Sequence, residues 1–229
     1  MALSNSYAFD PALGSIVLYA YNRCGIRNTA LLAEHMEAAR MAANMVLADF
    51  SNRGTNLWQV ILETQALTQG VATYSVDPAV VVILDGYVST DNGTSIIDRY
   101  ILPISRTEYA SYPNKEQQGF STTYWHYRTL SPTVTLWPVP NGQQATFNYY
   151  VLKQIQDAAF TSGQNVDVPY LWQKAFADAL SVELAVIWAP DRLAFLSPMA
   201  DKSYQMAALT NEEIAQQYIS PMVNSYFRA

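Results

Sequence analysis

Apolar residues recur along this chain with two different periods, and the change of period divides it into three stretches. Between residues 28 and 52, Leu32, Met36, Ala39, Ala43, Val46, Leu47 and Phe50 return at steps of three and four, building one stripe on a helix. Ala30, Ala33, Ala38, Ala42 and Ala48 favour the helix and keep its other faces slim. Glu34, Glu37 and Arg40 fall on the polar side, and Gly54 ends the run. A first helix is predicted over 11–24, with Asp10 as N-cap and Pro11 at the first helical position. Ile16, Val17, Ala20 and Tyr21 share its face, and Gly25 stops it.

After Gly54 the period becomes two. Residues 58–67 and 71–76 read as strands around Thr68-Gln69-Gly70, a predicted hairpin. Two more strands follow: 80–84, continuing through Tyr87 and Val88, and 96–102, with Asp91-Asn92-Gly93 as the turn between them. Ser105 stands three residues before Glu108, the spacing of a capping box at a helix entry, and 113–119 reads as a polar loop. The stretch 124–152 holds three runs of β-branched and aromatic residues, split by Ser131-Pro132 and by 138–142. It predicts an antiparallel meander of three strands. Alternation within it puts Trp125 and Tyr127 on one face and His126 on the other.

Helical spacing then returns. After an extended linker at 166–169, a helix is predicted over 170–189, with Trp172, Phe176, Ala179, Leu180, Glu183 and Ile187 on one face. Val182 and Val186 lie beside that face, and Pro190 ends the helix. Asp191 can cap a further helix, interrupted or re-entered near Ser197-Pro198 and carrying Met199, Tyr204, Met206 and Leu209. A turn or short helix follows at 210–218, and 219–229 reads as a tail. The expected fold class is α+β: an α-helical bundle built from N- and C-terminal helices, an inserted antiparallel β-rich domain, and an extended C-terminal tail. The boundaries are 1–55 with 166–218 for the bundle, 56–165 for the insert and 219–229 for the tail.

Charged residues make up 14% of the chain, against about 25% in an ordinary soluble protein, too few to cover a monomer's surface with polar groups. With 16 Tyr and 5 Trp, this composition points to a subunit with large protein contacts. The net charge of -6 argues against a dedicated nucleic-acid binder but suits a surface that DNA slides past. The single cysteine, Cys24, excludes an intramolecular disulfide and a cysteine-rich zinc site, and fits a reducing cytoplasm. No run approaches the roughly 18 apolar residues of a membrane helix. The start carries no basic segment of a signal peptide, so no membrane partner is expected.

No catalytic, cofactor or metal residues are expected. The two histidines, His35 and His126, supply no convergent ligand spacing, and no serine has a G-x-S-x-G context. The glycines form no phosphate cradle. A carboxylate pair such as Glu63 with Asp85 has no support beyond the residue types. Arg99, Arg106, Lys115 and Arg128 gather around the β region as exposed charges or as pairs across a subunit interface; a weaker reading sets some against DNA in a channel.

Four features in order resemble the head-to-tail adaptor (connector) proteins of short-tailed bacteriophages, the group that includes tail tubular protein A and packaged-DNA-stabilising neck proteins. They are Leu47-Ala48-Asp49-Phe50 with Gly54 and Leu57-Trp58; Thr68-Gln69-Gly70 leading to Tyr74; Tyr124-Trp125 followed by Leu136-Trp137-Pro138-Val139-Pro140; and Val168-Pro169 with Trp172, Ala175, Ala179 and Leu180. The resemblance implies a virion protein of the neck or tail, made in the host bacterial cytoplasm. It implies a ring, usually a dodecamer, that joins the portal protein to the tail nozzle while genomic DNA passes its lumen without sequence-specific binding. The tail is then a portal contact through Tyr226, Phe227 and Arg228, with Trp125 and Trp137 as core or subunit contacts. Some relatives are credited with cell-wall hydrolysis, so a virion-associated peptidoglycan hydrolase is the alternative, though no residue here carries that activity over. A cytosolic binding module is a third reading, resting on low charge and tyrosine content alone.

Overall fold

The computed structural model describes residues 6, 9–54, 56–91, 93–159 and 163–211. Two helices come first, α1 (Leu13–Arg23) and α2 (Ala33–Asn52). Four strands follow: β1 (Val60–Ala66), β2 (Thr73–Ser75), β3 (Val80–Asp91) and β4 (Ile96–Pro103). A short helix, α3 (Arg106–Ser111), precedes β5 (Gln118–Gly119), β6 (Thr123–Tyr127), β7 (Thr133–Trp137), β8 (Val139–Pro140) and β9 (Thr146–Lys153). The helices α4 (Tyr170–Trp188) and α5 (Leu193–Ala208) complete the order. The class is α+β, as the two periods predict.

The helices form where the apolar period says, with shifted ends. Asp10 caps nothing: its carboxylate accepts from Asn165 Nδ2 at 2.6 Å and Gln173 Nε2 at 3.1 Å, tying the N-terminal segment to α4. α1 therefore starts two residues later than Pro11, with Ala12 at its N-cap. A 3-10 turn occupies Asn28–Ala30, and α2 starts at Ala33, where the Leu32 N–H donates to His35 Nδ1 at 3.2 Å. Leu32 of the predicted stripe is thus left 61% exposed, while Ala39, Ala43, Val46, Leu47 and Phe50 are buried. The chain runs through Pro198 without a break, and Pro198 and Ala194 are both exposed.

α1, α2 and α5 all pack on α4. Burial on two sides rotates the buried surface of α4 away from the predicted face: Phe176, Leu180, Leu184 and Ala185 are inside, whereas Glu183, Val186 and Ile187 are exposed. One apolar cluster joins residues of all four helices, among them Val17, Tyr21, Phe50, Trp172 and Leu196. Within it lies a charge. Asp178 of α4 is 1% exposed and ion-paired with Arg23, the last residue of α1, and with Lys174 at 2.5 Å.

The strands make a curled seven-stranded sheet in the order β1-β9-β3-β4-β6-β7-β2, and β5 pairs with β8 separately. Two sequence expectations change here. β1 and β2 are not a hairpin: β1 pairs with β9, and β2 with β7. The meander also splits, since β6 and β7 form its hairpin while β9 lies between β1 and β3. Phe147, Tyr149 and Val151 of β9 alternate along one face and need apolar neighbours on both sides, which a central strand provides. Val88, Ile101, Tyr124, Val134 and Leu136 join them in a second cluster inside the curl. Gly86 admits this packing, because a Cβ there would stand 2.6 Å from Phe147 Cε2.

Two predictions follow from these interiors. Arg23→Ala, which strands Asp178 with only Lys174, should lower unfolding free energy by about 3 kcal/mol in urea titration; Arg23→Met with Asp178→Leu should recover most of that loss. Gly86→Ala should cost about 1–3 kcal/mol by the same measurement, through forced displacement of the Phe147 ring.

Candidate interaction surfaces

The Ser105 hydroxyl accepts from the Glu108 N–H at 3.1 Å, so the cap read from the sequence does start α3. α3 then lies against β6. Tyr109 stacks on Trp125 with ring centroids 5.2 Å apart, and Tyr112 on Trp137 at 4.1 Å. The register pairs Trp125 with Thr135 and Thr123 with Trp137, which puts both tryptophans on one face as diagonal neighbours. Trp137 Nε1–H donates to the Asn114 carbonyl at 3.0 Å. Lys115 donates to the Ala110 and Tyr112 carbonyls at 3.3 and 3.0 Å and sits over the Tyr109 ring. Trp125 and Trp137 are half-buried in this ladder and keep one edge in solvent. Tyr226, Phe227 and Arg228 lie outside the described residues.

His126, on the opposite strand face, is held below its ordinary pKa by burial and then by Arg128. The other histidine stacks on Trp188 at 4.1 Å within the helices. Glu63 and Asp85 do not meet as a carboxylate pair. Glu63 pairs across to Tyr149 on the inner face of the sheet, while Asp85 pairs to Tyr150 on the outer one. Glu63 is occupied by Lys153 at 2.5 Å, and Lys153 also reaches Asp77 at 2.9 Å; these two hydrogen bonds raise the lysine's pKa. Burial, then the Glu63 charge, pushes the Tyr149 hydroxyl up to about 12. Arg99 lies over the Phe120 ring at 4.5 Å. Among the described residues no three His, Cys, Asp or Glu side chains converge as a metal site, and no helix is long and apolar enough to cross a membrane.

Large apolar side chains are also exposed. A groove of about 610 Å³ runs between the start of α1 and the first turns of α4, lined by Phe9, Ile16, Tyr19, Tyr170 and Leu171. Leu130, at the tip of the β6–β7 hairpin, is 98% exposed. Large side chains also stand out on α5 and β4, a feature that sequence periodicity alone could not assign because it does not say which face turns inward. Tyr and Met among these exposed side chains are residue types enriched where proteins meet. A family model described as SU10 adaptor protein matches residues 25–224, and the chain belongs to that family of phage head-to-tail adaptors. It is accordingly a structural component of the virion, a class that points away from enzymatic activity. No curated protein matches the chain closely enough to count as a relative.

The ladder predicts a measurable coupling. A double-mutant cycle on Tyr109→Ala and Trp125→Ala should return about 0.5–1.5 kcal/mol of interaction energy in urea unfolding.

Proposed function

We propose that this adaptor acts as a ring, of the tail tubular protein A-like type, joining the portal to the tail nozzle and enclosing part of the DNA passage. The observation that carries this reading is the family match over residues 25–224, most of the chain. Low charge and exposed aromatic surface support it, because a ring subunit hides on assembly what a monomer leaves in water. The net charge of -6 supports a lumen to which DNA does not adhere. In this reading 1–55 and 166–218 are the helical unit, 56–165 the insert, and 219–229 the portal-binding tail with Tyr226, Phe227 and Arg228 as anchors. Trp125 and Trp137 offer their solvent edges to a neighbour.

Removing residues 219–229 should weaken co-sedimentation with the portal at least tenfold while thermal unfolding stays unchanged. Equal attachment of the truncated chain would sink the tail's role. Imaging the protein in the virion decides the ring itself: density for it away from the portal–tail junction would overturn the reading.

A further inference from the structure

α5 carries apolar side chains on two faces: Leu193 and Tyr204 pack inward on the helical cluster, Tyr204 against Phe50 and Trp172. Against α4 it buries Leu196, Ser203 and Ala207, two of them small. Toward solvent it shows Phe195, Met199 and Met206, with Leu209 at its C-cap, spaced four, seven and three residues apart along one stripe. Phe195 is 70% exposed, and Lys202 stands within the same stripe with no anionic partner among the described residues. Lys174 is shifted below its ordinary pKa by burial and then by Arg23 and Lys202.

The outer face of the sheet is the complement. Register puts Leu62, Tyr150 and Asp85 in one row and Asn148, Tyr87 and Tyr100 in the next, with Ile96 and Leu102 further along β4 on the same side. Ile96 is 70% exposed, and Tyr100, Leu102 and Tyr150 also stand in solvent. Asp85 accepts from the Tyr100 hydroxyl and Asp98 from the Ser89 hydroxyl, and neither has a cation partner among the described residues. The dimensions agree. A helix of 16 residues is about 24 Å long, and a strand of 8 residues about 27 Å. Three neighbouring strands span about 10 Å between outer axes, the width of one helix.

Resting on the ring reading above, we propose that the outer stripe of α5 in one copy lies on the β9-β3-β4 face of the next, with Lys202 facing Asp85. The two surfaces are different, so the contact is head-to-tail and propagates around a ring instead of closing a two-fold dimer. A footprint about 24 Å long and about 10 Å wide, about 240 Å², is small beside the roughly 800 Å² per partner of a stable pair. One such contact is weak alone, and closing the ring is what holds it.

Two experiments on the full-length chain test this, at high concentration and on the portal. Lys202→Glu or Asp85→Lys alone should reduce the ring population about tenfold by mass photometry, and the double variant should restore it to within about twofold. Met199→Cys with Tyr100→Cys in one chain should give a ladder of disulfide-linked oligomers, while either cysteine alone gives none. Dimers from Met199→Cys alone would mean that α5 packs on itself, and the proposal fails. Rings that form on the portal but ignore the charge swap and yield no ladder overturn this contact and leave the ring reading standing. No oligomer under any condition, portal included, overturns both.

Discussion

Asp178 is a carboxylate with almost no access to water, and a charge so placed holds its ionised form only if the fold brings cations to it. Lys174 comes from one turn earlier on the same helix and costs the chain no long-range order. Arg23 comes from 155 positions away in sequence order, and its arrival fixes where the end of α1 lies along α4. Other contacts gather around it. Arg192 donates to the Arg23 carbonyl at 3.2 Å, and the Cys24 thiol donates to the Ser181 carbonyl at 3.3 Å. The Arg192 guanidinium also lies against Gly25, where a Cβ would sit 2.6 Å from it and where φ is +81°. The helices of both chain halves are thus registered by polar contacts between residues far apart in the chain.

The chain's return to these helices explains the topology of the sheet. A segment inserted between packed helices must leave and re-enter at nearly the same place, so its first and last strands do best as neighbours. β1 and β9 are neighbours, with Val60 opposite Leu152. The junction is sealed by side-chain amides. Asn44 donates to the Ala158 carbonyl at 3.0 Å and accepts from the Ala158 N–H at 2.8 Å. Asn56 donates to the Phe50 carbonyl at 3.1 Å and to Gln59 at 2.9 Å, and the Leu57 N–H donates to Asn211 at 2.8 Å. Irregular backbone at this crossing keeps its hydrogen bonds without a strand or helix to supply them.

The division between what the sequence reveals and what it hides follows the same line. α2 and α4 were legible because a 3.6-residue period is local, and the start of α3 because the Ser105 cap spans three residues. The pairing of β9 was not, since its own pattern says only that both sides are covered and the covering strand depends on where the chain ends must meet. Burial of α4 on two sides likewise depends on neighbours from opposite ends of the chain, so its C-terminal half turned in Leu184 rather than Ile187. Asp10 has the residue type and position of a cap, yet two amides from distant segments take its oxygens. Trp125 and Trp137 stood out by type, but only the β6–β7 register shows that they share a face and that α3 lies on it. Glu63 and Asp85 are separated by the parity of β1 and β3 through β9, a relation invisible until strand order is known.

Interior and surface make opposite use of side-chain freedom. Between the helices, alanines such as Ala39, Ala43, Ala175 and Ala185 bring backbones close, and single polar contacts allow one arrangement. Outside, the exposed apolar positions include Met41, Met45, Met199 and Met206, whose unbranched thioethers adapt to the shape they meet. An adaptor faces both demands at once. A close-packed frame holds the contact surfaces at fixed positions relative to one another. The contact surfaces, by contrast, meet neighbours whose shape the chain does not dictate. A frame registered by buried polar contacts and a surface of adaptable side chains meet those demands separately, and that separation lets contact residues vary without disturbing the fold beneath them.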